Sequence, residues 1–486
     1  MRRVLVVLVA AAIAVASCGT PERTPPVGGT AAPSGQSAPV ATSVPTATPT
    51  PTTAASEAAS PPLPEPSATP GATQGPEGEL VRSGVARAAV LPAAAINVAR
   101  AINAFGLDLL RAIKAPGNAV ISPTSVVLAL GMARAGARGA TAAEIDSVLR
   151  AGDLGQLESG LHSLQQELAA RSLTVTDENG DAHQVALEIA NQQFAQRGLA
   201  IRPDYLDLLA SGFGAGLRLV DYRGDPVAAR AAVNRWTGTA THGRIPELLA
   251  PADVTTLTRL ILVNTIYLKA PWAFRFFDPK DTRASGFMLA NGSLVSIPMM
   301  SYAPGGLDPY LDYAAGTGWR AVELPYLGGP DQNRSLALTL SVPDHLAAFE
   351  KTLTGVQLGA IVSALRSRKV ALTMPKFAID THANLNLALQ ALGIHRAFDV
   401  YQADFSGITG DEPLYVGGVI HQANISVDEK GTEAAAATAI VMATGGPGDS
   451  AKPIALRIDR PFLFALRDTQ TGAVLFLGRI TDPSAR

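Results

Sequence analysis

Val427 to Pro461 reads VDEKGTEAAAATAIVMATGGPGDSAKPIALRIDRP, and the fold turns on whether this run is a helix or a loop able to become a strand. Propensity alone favours an Ala-rich helix, because Ala is the best helix former and EAAAATAIVMA has no internal breaker. Split at period two, one face carries Thr432, Ala434, Ala436, Thr438, Ile440 and Met442, and the other Glu433, Ala435, Ala437, Ala439 and Val441. The first face has no charge. A segment of this kind can pass between two existing strands without leaving an ion in the interior, which would cost several kcal/mol. Glu433 falls on the wettable side.

The rest of the chain supplies the context. It has 486 residues, a formal net charge of -2 and a pI near 6.4, so there is no basic excess to suggest nucleic acid. Met1-Arg2-Arg3 followed by VLVVLVAAAIAV has the length of a signal peptide and is too short for an ordinary membrane span. Residues 1–17 are therefore read as an export signal. They run into Val15-Ala16-Ser17-Cys18-Gly19, which resembles the lipobox of bacterial lipoproteins, where the Cys becomes the lipidated first residue. Cys18 is the only cysteine, so no disulfide framework or zinc cluster is available. From Thr20 to about Gly78 the composition shifts to Pro, Thr, Ala, Ser and Gly, which cannot bury a core, so residues 18–92 are read as a disordered tether. A tether of about 60 such residues averages roughly 40 Å end to end even when fully flexible. The expectation is an exported protein held by lipid at the outer face of a bacterial membrane or cell surface.

Residues 93–486 are expected to form one large domain. Val98, Ile102, Phe105, Leu109 and Ile113 recur at helical spacing, and Leu154, Leu157, Leu161, Leu164 and Leu168 mark a second amphipathic helix. Ser122-Pro123 suits an N-cap followed by the first helical position, and Thr141-Ala142-Ala143-Glu144 has the pattern of a capping box. The run Leu260-Ile261-Leu262-Val263-Asn264-Thr265-Ile266-Tyr267-Leu268-Lys269 suits a strand covered on both faces, and its Asn264 needs hydrogen-bond partners there. Further strands are read at Val185 to Phe194, Ser296 to Met300, Val322 to Tyr326, Leu336 to Val342, Val370 to Met374 and Leu475 to Ile480. GFGAG at 212–216 reads as a turn.

The hinge GTEAAAAT behind Asp428-Glu429-Lys430 resembles that of the reactive-centre loop of inhibitory serpins. The likeness extends through Asn118 to Ser125, Ala190 to Phe194, Asn234-Arg235-Trp236 with Gly243 to Leu249, Leu260 to Trp272, Pro375-Lys376-Phe377, Leu414 to His421 and Arg460 to Phe464. Arg244 stands where the family more often has Lys. The resemblance implies an α+β serpin fold, with helices packed around a large central sheet, further sheets and an exposed reactive-centre loop. It implies a shutter of Ser122, Ser125, Asn264 and His421 beneath that sheet, and a breach at its upper end formed by Trp272 and a Lys376–Glu429 pair. The hinge is Glu429, Lys430, Gly431, Thr432, Glu433, Ala434, Ala435, Ala436, Ala437 and Thr438.

The function implied is trapping of a serine protease, or a cysteine protease, as a covalent acyl complex, by a monomer that needs no cofactor or metal and is no enzyme. About 13 residues entering a sheet would gain ladder hydrogen bonds worth roughly 0.5–1.5 kcal/mol net each, besides buried area. Family spacing puts the reactive bond at Gly445-Gly446, or at Thr444-Gly445 for a loop one residue shorter. No Arg or Lys lies between Lys430 and Lys452, which favours a small apolar pocket of elastase-like or subtilisin-like type. The alternative is a non-inhibitory serpin acting as a binding or chaperone module, which a charge or Pro at Thr432, Ala434 or Ala436 would have favoured. A hydrolase has no support: GxSxG and HExxH are absent, and the seven His lack ligand spacing. A lipoprotein solute-binding protein would need repeated strand-helix units, which the C-terminal run of strands does not resemble.

Overall fold

The computed structural model describes residues 71–485 apart from 74, 114–116, 151, 177–180, 306–308, 329–334, 411 and 433–451. The export signal, Cys18 and the first part of the tether lie outside the described residues, as does the loop from Glu433 to Ala451. Residues 65–486 make one compact unit.

The central sheet draws on strands from most of the chain: β1 (Glu79–Arg82), β2 (Ala182–Gln196), β3 (Leu217–Val220), β4 (Leu260–Pro271), β5 (Phe377–Asn384), β6 (Gly418–Asp428) and β7 (Gly431–Thr432). Across the sheet their order is β1-β3-β2-β4-β7-β6-β5, with Gly71–Thr73 outside β1 and Leu173–Thr176 beside β2. A second sheet of seven strands ends on Ala119–Ile121, and a third of four strands includes Val370–Pro375 and Ile454–Arg457.

The apolar run of β4 follows from its two covers. Its even-numbered residues face helix α2 (Pro123–Gly136), which follows helix α1 (Pro92–Ala112) and is buried along nearly its whole length. Its odd-numbered residues Ile261 and Val263 join Phe194, Tyr222, Val233, Leu248 and Ile420 in a cluster under helix α3 (Pro226–Ala240). Helix α3 is held over the sheet by Asn234, whose amide accepts from the Leu249 N–H at 2.7 Å and donates to the Leu249 carbonyl at 3.0 Å. That clasp is the physical content of the Asn-Arg-Trp motif.

Two expectations change. Residues before 93 pack against the domain: β1 pairs antiparallel with β3, Glu77 ion-pairs Arg218 at 3.1 Å, and Arg235 of α3 donates to the Pro76 carbonyl at 2.7 Å. The Thr141–Glu144 capping box is not formed. The helix Gly139–Leu149 starts earlier, and Thr141 accepts from the Asp404 N–H while Glu144 accepts from those of His395 and Arg396. Both side chains tie distant loops instead.

The strand Trp319–Pro325 leads directly to the upper end of the central sheet and is fixed by a buried ion pair. Arg467 donates to both Glu323 oxygens at 2.9 and 2.8 Å, and Thr339 adds a bond to the same carboxylate at 2.5 Å. Removing one partner would leave a buried charge uncompensated. Glu323→Gln should therefore cost about 3–5 kcal/mol, read as a lowered midpoint of urea unfolding of the intact protein.

Candidate functional site

The parallel ladder between β4 and β6 runs from Ile261–Gly418 to Thr265–Gln422 and stops. At the upper end, β7 lies between the two strands, with Gly431 opposite Pro271 and Asp428 and Thr432 opposite Ala270 and Val427. Between these points, no described strand separates residues 266–269 from residues 423–426. The seam is closed below and only begun above.

At the closed end, the Ser122 N–H donates to His421 Nε2 at 3.1 Å. This fixes the neutral tautomer, so His421 Nδ1 donates to Asn264 Oδ1 at 2.8 Å. Asn264 in turn donates to Asn191 Oδ1 at 2.5 Å, and the Ser125 hydroxyl donates to the Thr265 carbonyl at 3.3 Å. The structure thus gathers Ser122, Ser125, Asn264 and His421 at one point, with one change of role. The Ser122 hydroxyl is spent capping α2, accepting from the Ser125 N–H, and it is the Ser122 backbone that reaches the histidine. Asn191 and Thr265 are members that the sequence reading did not single out. Asn191 sits directly opposite Asn264 on β2, and this paired-amide register is the signal that could have found it.

At the open end, Trp272 is buried and donates from Nε1 to the Asp428 carbonyl and from its backbone N–H to that of Lys430, both at 3.0 Å. Lys376 Nζ lies 2.7 Å from Glu429 Oε2, and the Thr282 hydroxyl donates to Oε1 at 2.7 Å. Burial pulls the Glu429 carboxyl up, but the hydrogen bonds from Lys376 and Thr282 more than offset it and hold the group below its ordinary value. Thr282 and Tyr326, whose ring stacks on Trp272 with centroids 4.6 Å apart, were not foreseen.

Of the hinge, Glu429 to Thr432 are described, and Glu433, Ala434, Ala435, Ala436, Ala437 and Thr438 lie outside the described residues with Thr444, Gly445 and Gly446. Gly431 has φ of +141°, and a Cβ there would stand 2.2 Å from the Ala270 carbonyl oxygen. Only glycine lets the chain turn into the seam here. Thr432 is 2% exposed with its hydroxyl 2.5 Å from that of Tyr326, so the even-numbered face of the loop is the inward one at its first rung.

His421 is pushed down to about 3, by burial first and by the charge of His382 second. Between about pH 6.5 and 3 the unfolded chain therefore carries a proton that the native chain lacks. This contribution makes stability rise with pH across that window, by about 1.4 kcal/mol per unit, and it is lost as pH falls through it. His421→Gln should flatten the slope, measured as the difference between the two proteins' urea midpoints from about pH 4 to 6.5.

Comparison with known proteins gives the same frame. The family model described as Serpin (serine protease inhibitor) matches residues 100–483. An uncharacterized serpin-like protein of Thermococcus kodakarensis is 34% identical over 394 residues, covering 79% of this chain and 86% of its own. A leukocyte elastase inhibitor of Xenopus tropicalis is 31% identical, covering 80% and 100%. The crystal structure of a thermophilic serpin, tengpin, in the native state superposes with a TM-score of 0.68 at 23% identity, over 82% of this chain and 96% of that one. With its half-closed seam and glycine hinge in place, the chain belongs to the serpin family of protease inhibitors.

Proposed function

We propose that this serpin traps an elastase-like or subtilisin-like serine protease by inserting its cleaved loop into the central sheet. The observation that supports the reading is the seam itself, with Thr432 seated in its mouth. Extending the antiparallel register of Thr432 with Ala270 and Val427 brings Glu433 to Lys269, Ala434 to Leu268, Ala436 to Ile266, and Thr438 to Asn264 and His421. Glu433 thereby meets an opposite charge on the α3 side of the sheet. Ala434 arrives between Leu268 and Ile425, which are buried, so a small side chain is required there.

Insertion has two stages in this register. Glu433 to Ala436 enter without breaking any β4–β6 pair. From Ala437 onward the pairs from Thr265–Gln422 down to Ile261–Gly418 must part, and the His421–Asn264 bond lies in their path. The protease nucleophile attacks the carbonyl at Gly445-Gly446 or Thr444-Gly445 and forms an ester, while the amine of the following residue leaves. Strand insertion then carries the acyl group, and the enzyme with it, away from the loop's starting position before water can hydrolyse the ester. The uncharged run before the reactive bond and the name of the relative that inhibits leukocyte elastase both favour a small apolar pocket.

We further propose export and lipid attachment through Cys18, with the Pro-rich segment as spacer. Cys18→Ser should release the protein from the membrane fraction of a bacterial host and abolish its labelling by a radioactive fatty acid.

Incubation with elastase-like and subtilisin-like enzymes should give an SDS-stable complex, and clean cleavage alone would leave the non-inhibitory reading. Nicking the loop should raise the melting temperature strongly, because the inserted strand gains a full set of ladder bonds. Parity gives a sharper check. Ala436→Arg places an unpaired cation on the inward face at a cost of at least several kcal/mol, so nearly all of it should be turned over as substrate. Ala435→Arg, on the other face, should retain most of the complex.

A further inference from the structure

Tyr326 is fixed from every side. Its backbone bridges Trp272 and donates to the Leu336 carbonyl at 3.0 Å, the next N–H donates to the Pro271 carbonyl at 2.8 Å, and its ring lies on the indole at an interplanar angle of 13°. Its hydroxyl is buried with Thr432 at 2.5 Å. A buried phenol needs such a partner, so the contact is strongly favoured over an empty one.

This contact acts on register together with Gly431, whose place opposite Pro271 admits no Cβ. The loop that follows is Glu433-Ala434-Ala435-Ala436-Ala437, and four successive alanines fit either face of a sheet equally well. A slip of one residue reverses every side chain. It would carry Glu433 to the Ala270 rung, on the inward face where the Tyr326 hydroxyl lies, and away from Lys269.

We propose that Tyr326 is a positioning residue for loop insertion: by holding the Thr432 hydroxyl it pins the register in which the cleaved loop enters the seam. With the first rung already made, each further residue adds next to an ordered neighbour, and the loop is spared a search during which water would hydrolyse the acyl-enzyme. The inference rests on the inhibitory reading for its consequence, but the pin itself exists in the intact protein.

The test uses the full chain with Tyr326→Phe, Thr432→Val and Thr432→Ser. In the intact protein, hydrogen exchange of the peptide containing Gly431 and Thr432 should speed up about two- to tenfold in Tyr326→Phe, the factor that one ordinary hydrogen bond corresponds to. With the target protease, the number of inhibitor molecules consumed per enzyme trapped should rise by a similar factor, while the rate of loop cleavage stays unchanged. Thr432→Val should match it, the double variant should be no worse than either single one, and Thr432→Ser should behave as the parent. Unchanged exchange in Tyr326→Phe, or additive effects in the double variant, would overturn the pin. If the parent protein forms no trapped complex, the inhibitory reading falls while the exchange result still decides the pin. If Tyr326→Phe fails to fold, the contrast between Thr432→Val and Thr432→Ser decides it in both measurements.

Discussion

Everything in this molecule is arranged around a ladder that stops halfway. β4 and β6 are bonded to each other only as far as Thr265 and Gln422, and above that the two strands hold a two-residue wedge. Backbone amides and carbonyls are obligatory hydrogen-bonding groups, so the stretch where residues 266–269 run beside 423–426 without a described strand between them is the place at which the proposed strand would find its partners. Helix α2 beneath and helix α3 above supply the apolar packing that keeps the sheet together at the level of the closed pairs.

The contacts along the seam are of a kind that can be exchanged. At the closed end, a neutral histidine and two amides are joined by single hydrogen bonds, each worth about 1 kcal/mol net. Apolar interdigitation at the same place would have to be undone before anything replaced it. At the open end, the Glu429 side chain is 7% exposed but that of Lys376 is 38% exposed, so water screens the pair and weakens it.

Much of this was legible because it is local. An asparagine inside Leu260–Lys269 announces a buried polar contact, and a glycine ahead of Thr432 announces a turn of the backbone. Tyr326 and Thr282 gave no such signal: each ends or precedes an ordinary strand, and their partners Thr432 and Glu429 lie 106 and 147 residues away. Glu144 misled for a related reason. Its spacing from Thr141 fits a local cap, whereas its carboxylate serves two backbone N–H groups more than 250 residues further on. β1 was missed because four residues after a Pro-rich run carry too short a period to read.

That short strand has a mechanical meaning. β1 runs antiparallel to β3, and the residues just before it hold α3 through Arg235 and Thr239. Tension along the leading segment is therefore borne by the outer margin of the sheet and by the helix lying across it, three strands away from the β4–β6 seam. A force applied at residue 75 would meet this margin first, and the hinge at Gly431 lies beyond it, on the far side of β4.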